Sequence, residues 1–252
     1  MRRYPVWIAL VLFALVGFVA AEAAAWVPPA SKIVDRVASA NRKAGRSNAL
    51  AISVALGGEG DRNLARGELL SDPRGVARLE LASSFGTTER HLLRGGEYLA
   101  ARGGSLLAMP PPYLPPLFLL QASSSDRVRT GLLSLGGLAD EVVLGRHEGA
   151  ICWVMGGRDL SPPANASAAL VGSPGPKAAI WVTRDGFRII RIDRLDGTRF
   201  LLGPPRSYDG IELPQWIQID RPGVPTTRLE ILAARPGRFD DASFGTDWLQ
   251  GR

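Results

Sequence analysis

The residues best able to do chemistry are two histidines, one cysteine and a pair of adjacent aspartates. His91 falls in a strand-like run and His147 in a turn, and neither has a second donor at metal-ligand spacing. A zinc or copper centre would have to gather carboxylates from unrelated strands. No G-x-S-x-G occurs, and a dispersed Ser-His-Asp triad has only those two histidines to draw on. Asp240-Asp241 reads as solvated surface, not as the paired carboxylates of a glycosidase. Cys152, between Ile151 and Trp153, reads as a small buried hydrophobe with no intramolecular disulfide partner. There is no G-x-G-x-x-G and no phosphate-binding G-K-S/T. The expectation is a chain with no catalytic site, no metal and no cofactor.

A second chemistry needs aromatic rings interleaved with cations. Trp181, Phe187 and Phe200 alternate with Arg184, Arg188, Arg191 and Arg199, a pattern that could stack single-stranded nucleic acid. The basic balance is nearly all dispersed arginine: net charge is +6, and lysine occurs only at positions 32, 43 and 177. With no basic run longer than two residues, a solvated surface and core packing account for it better than a polyanion-binding face.

The elements that would position any site are strands. Ala179–Leu202 reads as three consecutive antiparallel strands, Ile180–Thr183, Phe187–Arg194 and Thr198–Leu202. Asp185-Gly186 and Asp196-Gly197 stand at the reversals, where glycine tolerates a positive φ. On the middle strand Arg188, Ile190, Ile192 and Arg194 face one way, and Phe187, Ile189, Arg191 and Asp193 the other. Both faces carry apolar groups, as expected of a curved sheet with one face packed and the other covered or lining a cavity.

Around this core the pattern repeats. Strands are expected at Ala49–Leu56, Ala65–Leu70, Val76–Leu81, Thr88–Arg94 and Glu97–Arg102. Further ones follow at Ala139–Leu144, Ala150–Met155, Ile211–Asp220 and Thr226–Ala234. Gly57–Gly60, Phe85-Gly86 and Gly95-Gly96 mark turns. Reversals this frequent argue for about eleven strands in one antiparallel order, not for βαβ units. Two helical pieces interrupt them. Ser31 can cap a helix with Ile33, Val34, Val37 and Ala38 on one stripe, ended by Gly45. In the middle, the rigid run Met109–Pro116 leads into Leu117–Gln121, apolar all round and therefore buried, a plug or lid for the sheet. Ser123–Ser125 caps a second helical segment, Asp126–Leu135. Ser161–Lys177 is a long Pro/Ala/Ser/Gly-rich loop. Arg238–Phe244 should dock its phenylalanines on a sheet edge. Fold class is mainly β with helices (α+β), an incomplete antiparallel barrel with a helical lid.

Residues 1–25 form an export signal: Arg2 and Arg3, the apolar run Val6–Ala20, then small residues with cleavage after Ala25. An uncleaved anchor is the alternative, although the apolar core is short for a membrane span. Residues 26–252 should then be one exported, monomeric domain.

The layout resembles the periplasmic outer-membrane lipoprotein carriers, the LolA/LolB-like superfamily. The resemblance rests on the signal, the helix around Ile33-Val34-Asp35-Arg36-Val37, and the strand pair at Gly67-Glu68-Leu69 and Val76–Leu81. The insert Pro115–Leu135, the run Trp181–Ile192 and the late Phe244 complete it. The Pro-rich Met109–Pro116, the Ser161–Lys177 loop and the lack of a lipobox depart from the family pattern. It implies a periplasmic protein holding acyl chains of lipids or lipoproteins in a hydrophobic cavity, with an inner- or outer-membrane protein as a further partner. The residues expected to line cavity and lid are Leu79, Leu81, Leu92, Tyr98, Leu114, Leu117, Phe118, Leu120, Trp153, Trp181, Ile190, Phe200 and Leu202. The same residues could instead be a filled core. In that case the chain would be an envelope scaffold binding a protein partner, and an exported hydrolase using His91 or His147 is a third possibility.

Overall fold

The computed structural model describes residues 27–58, 63–94, 97–157 and 177–251. The expected export signal, the turns at 59–60 and 95–96 and nearly all of the 161–177 loop lie outside them. The chain opens on α1 (Ala30–Lys43) and runs through β1 (Leu50–Gly57), β2 (Asn63–Asp72), β3 (Val76–Ser83), β4 (Thr88–Arg94), β5 (Glu97–Arg102) and β6 (Ser105–Leu106). The helical insert is α2 (Phe118–Gln121) and α3 (Ser125–Ser134). Strands resume with β7 (Leu138–His147), β8 (Ala150–Gly156), β9 (Ala179–Thr183), β10 (Ile189–Asp193) and β11 (Arg199–Leu202). The hairpin β12 (Pro205–Tyr208) and β13 (Ile211–Pro214), then β14 (Trp216–Arg221) and β15 (Val224–Pro236), complete the strands. A 3₁₀ turn (Asp241–Phe244) and α4 (Thr246–Gln250) end the chain.

Among the described residues thirteen strands form one sheet, in the order β6-β5-β4-β3-β2-β1-β15-β14-β11-β10-β9-β8-β7. Neighbouring strands pair antiparallel, and β1 meets β15 in the centre of the sheet. The order ends on β6 and β7 without closing, and β12 and β13 stand apart as a second, two-stranded sheet. Three strands not among the expected ranges come from short pieces. Ser105–Leu106 is two residues long, Pro205–Tyr208 carries a proline, and the expected Ile211–Asp220 strand breaks at Gln215.

One face of the sheet wraps the helices. Ile52, Val54 and Leu56 of β1, Leu79 and Leu81 of β3 and Phe200 of β11 share a buried cluster with Ile33, Val34 and Val37 of α1. Complete burial of such side chains stabilises by about 1.5–3 kcal/mol each. Alternate residues point to the outer face, where Ala51, Leu70 and Leu92 pack under the C-terminal Phe244 and Leu249. The tail therefore lies across the outer face of the sheet, not along its edge. Arg78 donates to the Ser243 carbonyl at 2.7 Å and Arg90 to the Trp248 carbonyl at 2.8 Å, which fixes it there.

Local geometry corrects three expectations. The N-cap of α1 is Pro29, and Ser31 caps nothing. Phe187 has φ +54 and belongs to the turn, so β10 begins at Ile189. A register shift between Ile189 and Arg191 then breaks the alternation: Ile189 and Ile192 join the inner cluster, while Ile190 packs outward beside Trp181.

Candidate functional site

The Pro-rich run ends against the inner face, and α2 follows as a single turn with all four residues buried. A short helix has carbonyls without intrahelical partners. Here two buried polar residues supply them. Asn41 donates from Nδ2 to the Leu119 and Ala122 carbonyls, both at 2.9 Å. Arg46 donates from Nε to the Leu120 carbonyl at 2.8 Å and from a terminal nitrogen to Asn41 Oδ1 at 2.9 Å. Burial lowers the Arg46 pKa to about 10, with Glu212 opposing the shift. On the other flank Gln121 donates to the Asn48 and Ser71 carbonyls and accepts from the Ser71 hydroxyl at 2.6 Å. The plug is thus fastened by hydrogen bonds to α1, β2 and the loop after α1.

A second cluster fastens the Pro-rich run. Tyr98 donates to the Pro111 carbonyl at 2.6 Å, and its hydroxyl lies 2.9 Å from Nδ1 of the fully buried His91. Burial pushes the Tyr98 hydroxyl well up. His91 Nε2 lies 3.0 Å from Glu89 Oε1, within ion-pair distance but not aligned for a hydrogen bond. The other Glu89 oxygen accepts from Arg102 at 2.9 Å. Burial works against the Glu89 charge, but His91 and Arg102 outweigh it and hold the carboxyl below its usual range.

Between these clasps a pocket of about 640 Å³ opens to solvent. One wall is α3, through Arg127, Thr130, Gly131 and Ser134. The floor is Leu93, Leu114, Pro116, Phe118 and Leu135, and the far rim is the β2–β3 turn and the turn after β10. Leu133 and Leu195 stand at the mouth, 58% and 54% exposed. Leu195 rests on Gly136, where a Cβ would come within 2.3 Å of its Cδ1, so the glycine lets the turn close over the end of α3. The pocket is in the size range of small-molecule sites, roughly 300–1,000 Å³.

The expected lining residues divide by face. Leu79, Leu81, Leu114, Leu117, Phe118, Leu120, Trp153 and Phe200 lie in the inner cluster, with Tyr98 and Leu202 packed against it. Leu92 belongs to the outer cluster under Phe244, and Trp181 and Ile190 to an outer cluster with Cys152 and Val154. Leu114 and Phe118 line the 640 Å³ pocket. Leu120, Ile190 and Leu202 line a smaller hollow of about 240 Å³ beside Arg46 and Arg188. Sequence reasoning missed Leu93, Arg127, Arg194 and Leu195. The available signal at Leu195 was a large apolar residue in an Asp-Gly turn, and at Asn41 a polar residue on an otherwise apolar helical stripe.

Among the described residues no group of three or more His, Cys, Asp or Glu side chains could hold a metal ion, and no helix is long and apolar enough to cross a membrane. Cys152 is buried, which pushes its thiol pKa up.

No protein-family model matches the sequence, and no curated protein matches it. Solved structures do. A LolA superfamily protein from Nitrosomonas europaea superposes with a TM-score of 0.50 at 12% identity, over 88% of this chain and 100% of that one. A DUF1329 family protein from Desulfovibrio piger gives a TM-score of 0.42 at 14% identity, over 85% and 99%. The second overlap is too loose to add to the first, and at such identity the first speaks to fold alone. The chain has a LolA-like fold, an antiparallel sheet left open at both ends and wrapped around a helical plug.

Proposed function

We propose that this protein is an exported, non-enzymatic carrier that shelters acyl chains of lipids or lipoproteins. The observation that carries the reading is the apolar-floored pocket between α3 and the Pro-rich run, open to solvent past Leu133 and Leu195. Burying about a dozen methylenes yields roughly 10 kcal/mol at ~0.8 kcal/mol each. Lost freedom on association takes back at least about 4 kcal/mol. The remainder, at most about 6 kcal/mol, corresponds to affinity no tighter than the tens of micromolar, suited to a ligand that must be handed on. In this reading residues 1–25 direct export to the periplasm and residues 26–252 form one monomeric lipid-binding domain. A membrane protein loads or unloads it.

The test is uptake of a fluorescent fatty-acid probe by the purified mature protein, beside a Thr130→Trp variant. Thr130 is exposed and lines the pocket, so the indole blocks the space without entering the core. Saturable uptake by the wild type and at least tenfold weaker uptake by the folded variant support the carrier. No uptake by the wild type, or uptake indifferent to T130W, overturns it.

A further inference from the structure

The rim of the pocket holds charges that are unequally engaged. Arg74 is committed: it bonds Asp72 at 2.9 Å and Asp241 at 2.9 Å. Arg194 is not. Its side chain is only 22% exposed, and the nearest carboxylate oxygen, on Asp196, is 4.0 Å away, beyond hydrogen-bond reach. That carboxylate accepts from the Thr198 amide at 2.9 Å and so serves its own turn. The Arg194 guanidinium sits over the Tyr98 ring at 5.9 Å, a contact that uses none of its N–H donors. A partly desolvated guanidinium beside an apolar pocket, with its planar donor fork unfilled, matches a carboxylate in shape and charge. Exposed Arg127 adds a second cation to the rim. Asp126 and Asp196 also line it, and together they oppose a ligand bearing more than one negative charge.

We propose that the ligand is a single-chain amphiphile with a carboxylate head, of the long-chain fatty-acid class. Its head is received by Arg194 at the mouth, and its tail lies over Leu93, Leu114, Phe118 and Leu135. This rests on the pocket being a lipid site and adds which lipid it takes. A pocket of about 640 Å³ has room for one such chain and head.

The test compares dodecanoate with dodecan-1-ol, two ligands of equal chain length that differ in the head group, by calorimetric titration below their aggregation limits. The ratio of affinities is the readout. The wild type should favour dodecanoate about 10- to 100-fold, the worth of charge-assisted hydrogen bonds. Arg194→Gln should shrink that ratio to about twofold or less, and Arg194→Lys should leave it in between. On the wild type alone, added salt should weaken dodecanoate binding and leave the alcohol's nearly constant. That measurement decides the matter if the variants do not fold. Equal affinity for the two ligands leaves the lipid pocket standing and overturns the carboxylate assignment. A ratio that survives Arg194→Gln overturns the role of Arg194. Binding of neither ligand overturns this inference and the carrier reading together.

Discussion

The guanidinium carbon of Arg194 lies 5.9 Å from the centre of the Tyr98 ring, although seven strands stand between β5 and β10 in sheet order. A flat sheet would separate them by the strand spacing of about 4.8 Å taken many times over. The contact therefore measures the curl of the sheet. Its two arms come round far enough to line one pocket, with Leu93 on one side and Arg194 on the other.

Tyr98 holds this arrangement through its hydroxyl as well as its ring. Tyr98→Phe keeps the face under Arg194 but leaves the Pro111 carbonyl and His91 Nδ1 short of a partner. Orphaning buried polar groups costs about 1–3 kcal/mol. Urea denaturation of the variant should show a loss of that size at unchanged slope. A loss below about 0.5 kcal/mol would mean that the Pro-rich run is anchored by other contacts.

Asn41 is the hub of the plug. Asn41→Leu removes donors from the Leu119 and Ala122 carbonyls and the acceptor of Arg46. The leucine has similar bulk and suits an apolar stripe, so a propensity argument makes it harmless. Hydrogen-bond accounting predicts the opposite, a loss of roughly 2–4 kcal/mol. Thermal and urea unfolding distinguish the two.

Gly67 is where β2 and β3 approach most demandingly. A Cβ there would come within 1.7 Å of the Glu80 carbonyl oxygen, which is backbone and cannot swing aside. Gly67→Ala should cost at least about 3 kcal/mol or abolish soluble expression, since overpacking against fixed atoms forces the backbone to shift. Gly75→Ala is the control: nothing lies within 4 Å of its Cβ position, and only its φ of +92 is strained. It should cost about 1–2 kcal/mol.

Much of the sheet was legible because turn chemistry and strand alternation are local. Thr88–Arg94 and Glu97–Arg102 appear with the expected bounds. The three-strand core lies adjacent in the sheet as β9, β10 and β11. The candidate site was less legible because its walls come from elements far apart in sequence. Leu93, Leu114, Ser134 and Leu195 meet only because the sheet curls, and curl is summed over many strands. A single bulge was enough to send Ile190 to the outer face, and no local pattern announced it. Leu92 and Leu93 differ by one position, yet one lies under the C-terminal tail and the other on the pocket floor. Sequence placed both in a strand and expected Leu92, not Leu93, on the cavity side.

Glu89 gives the fold a defined response to acid. Its carboxyl is held below the usual value near 4.5, against its own burial, by the His91 ring and Arg102. The folded state therefore favours the ionised form more than the unfolded chain does. Between the lowered folded pKa and the usual one, the unfolded state binds more protons, so stability rises with pH across that window. The contribution is complete above about pH 5 and is lost as pH falls through the folded pKa. In Glu89→Gln this contribution is absent at every pH. The variant should be less stable than the wild type at neutral pH, and the two stability curves should converge as the solution is acidified below the carboxylate range. Urea denaturation at intervals from pH 7 down to pH 3 would show it. Curves that stay parallel over that range would mean that the variant's loss comes from packing and not from the charge on Glu89.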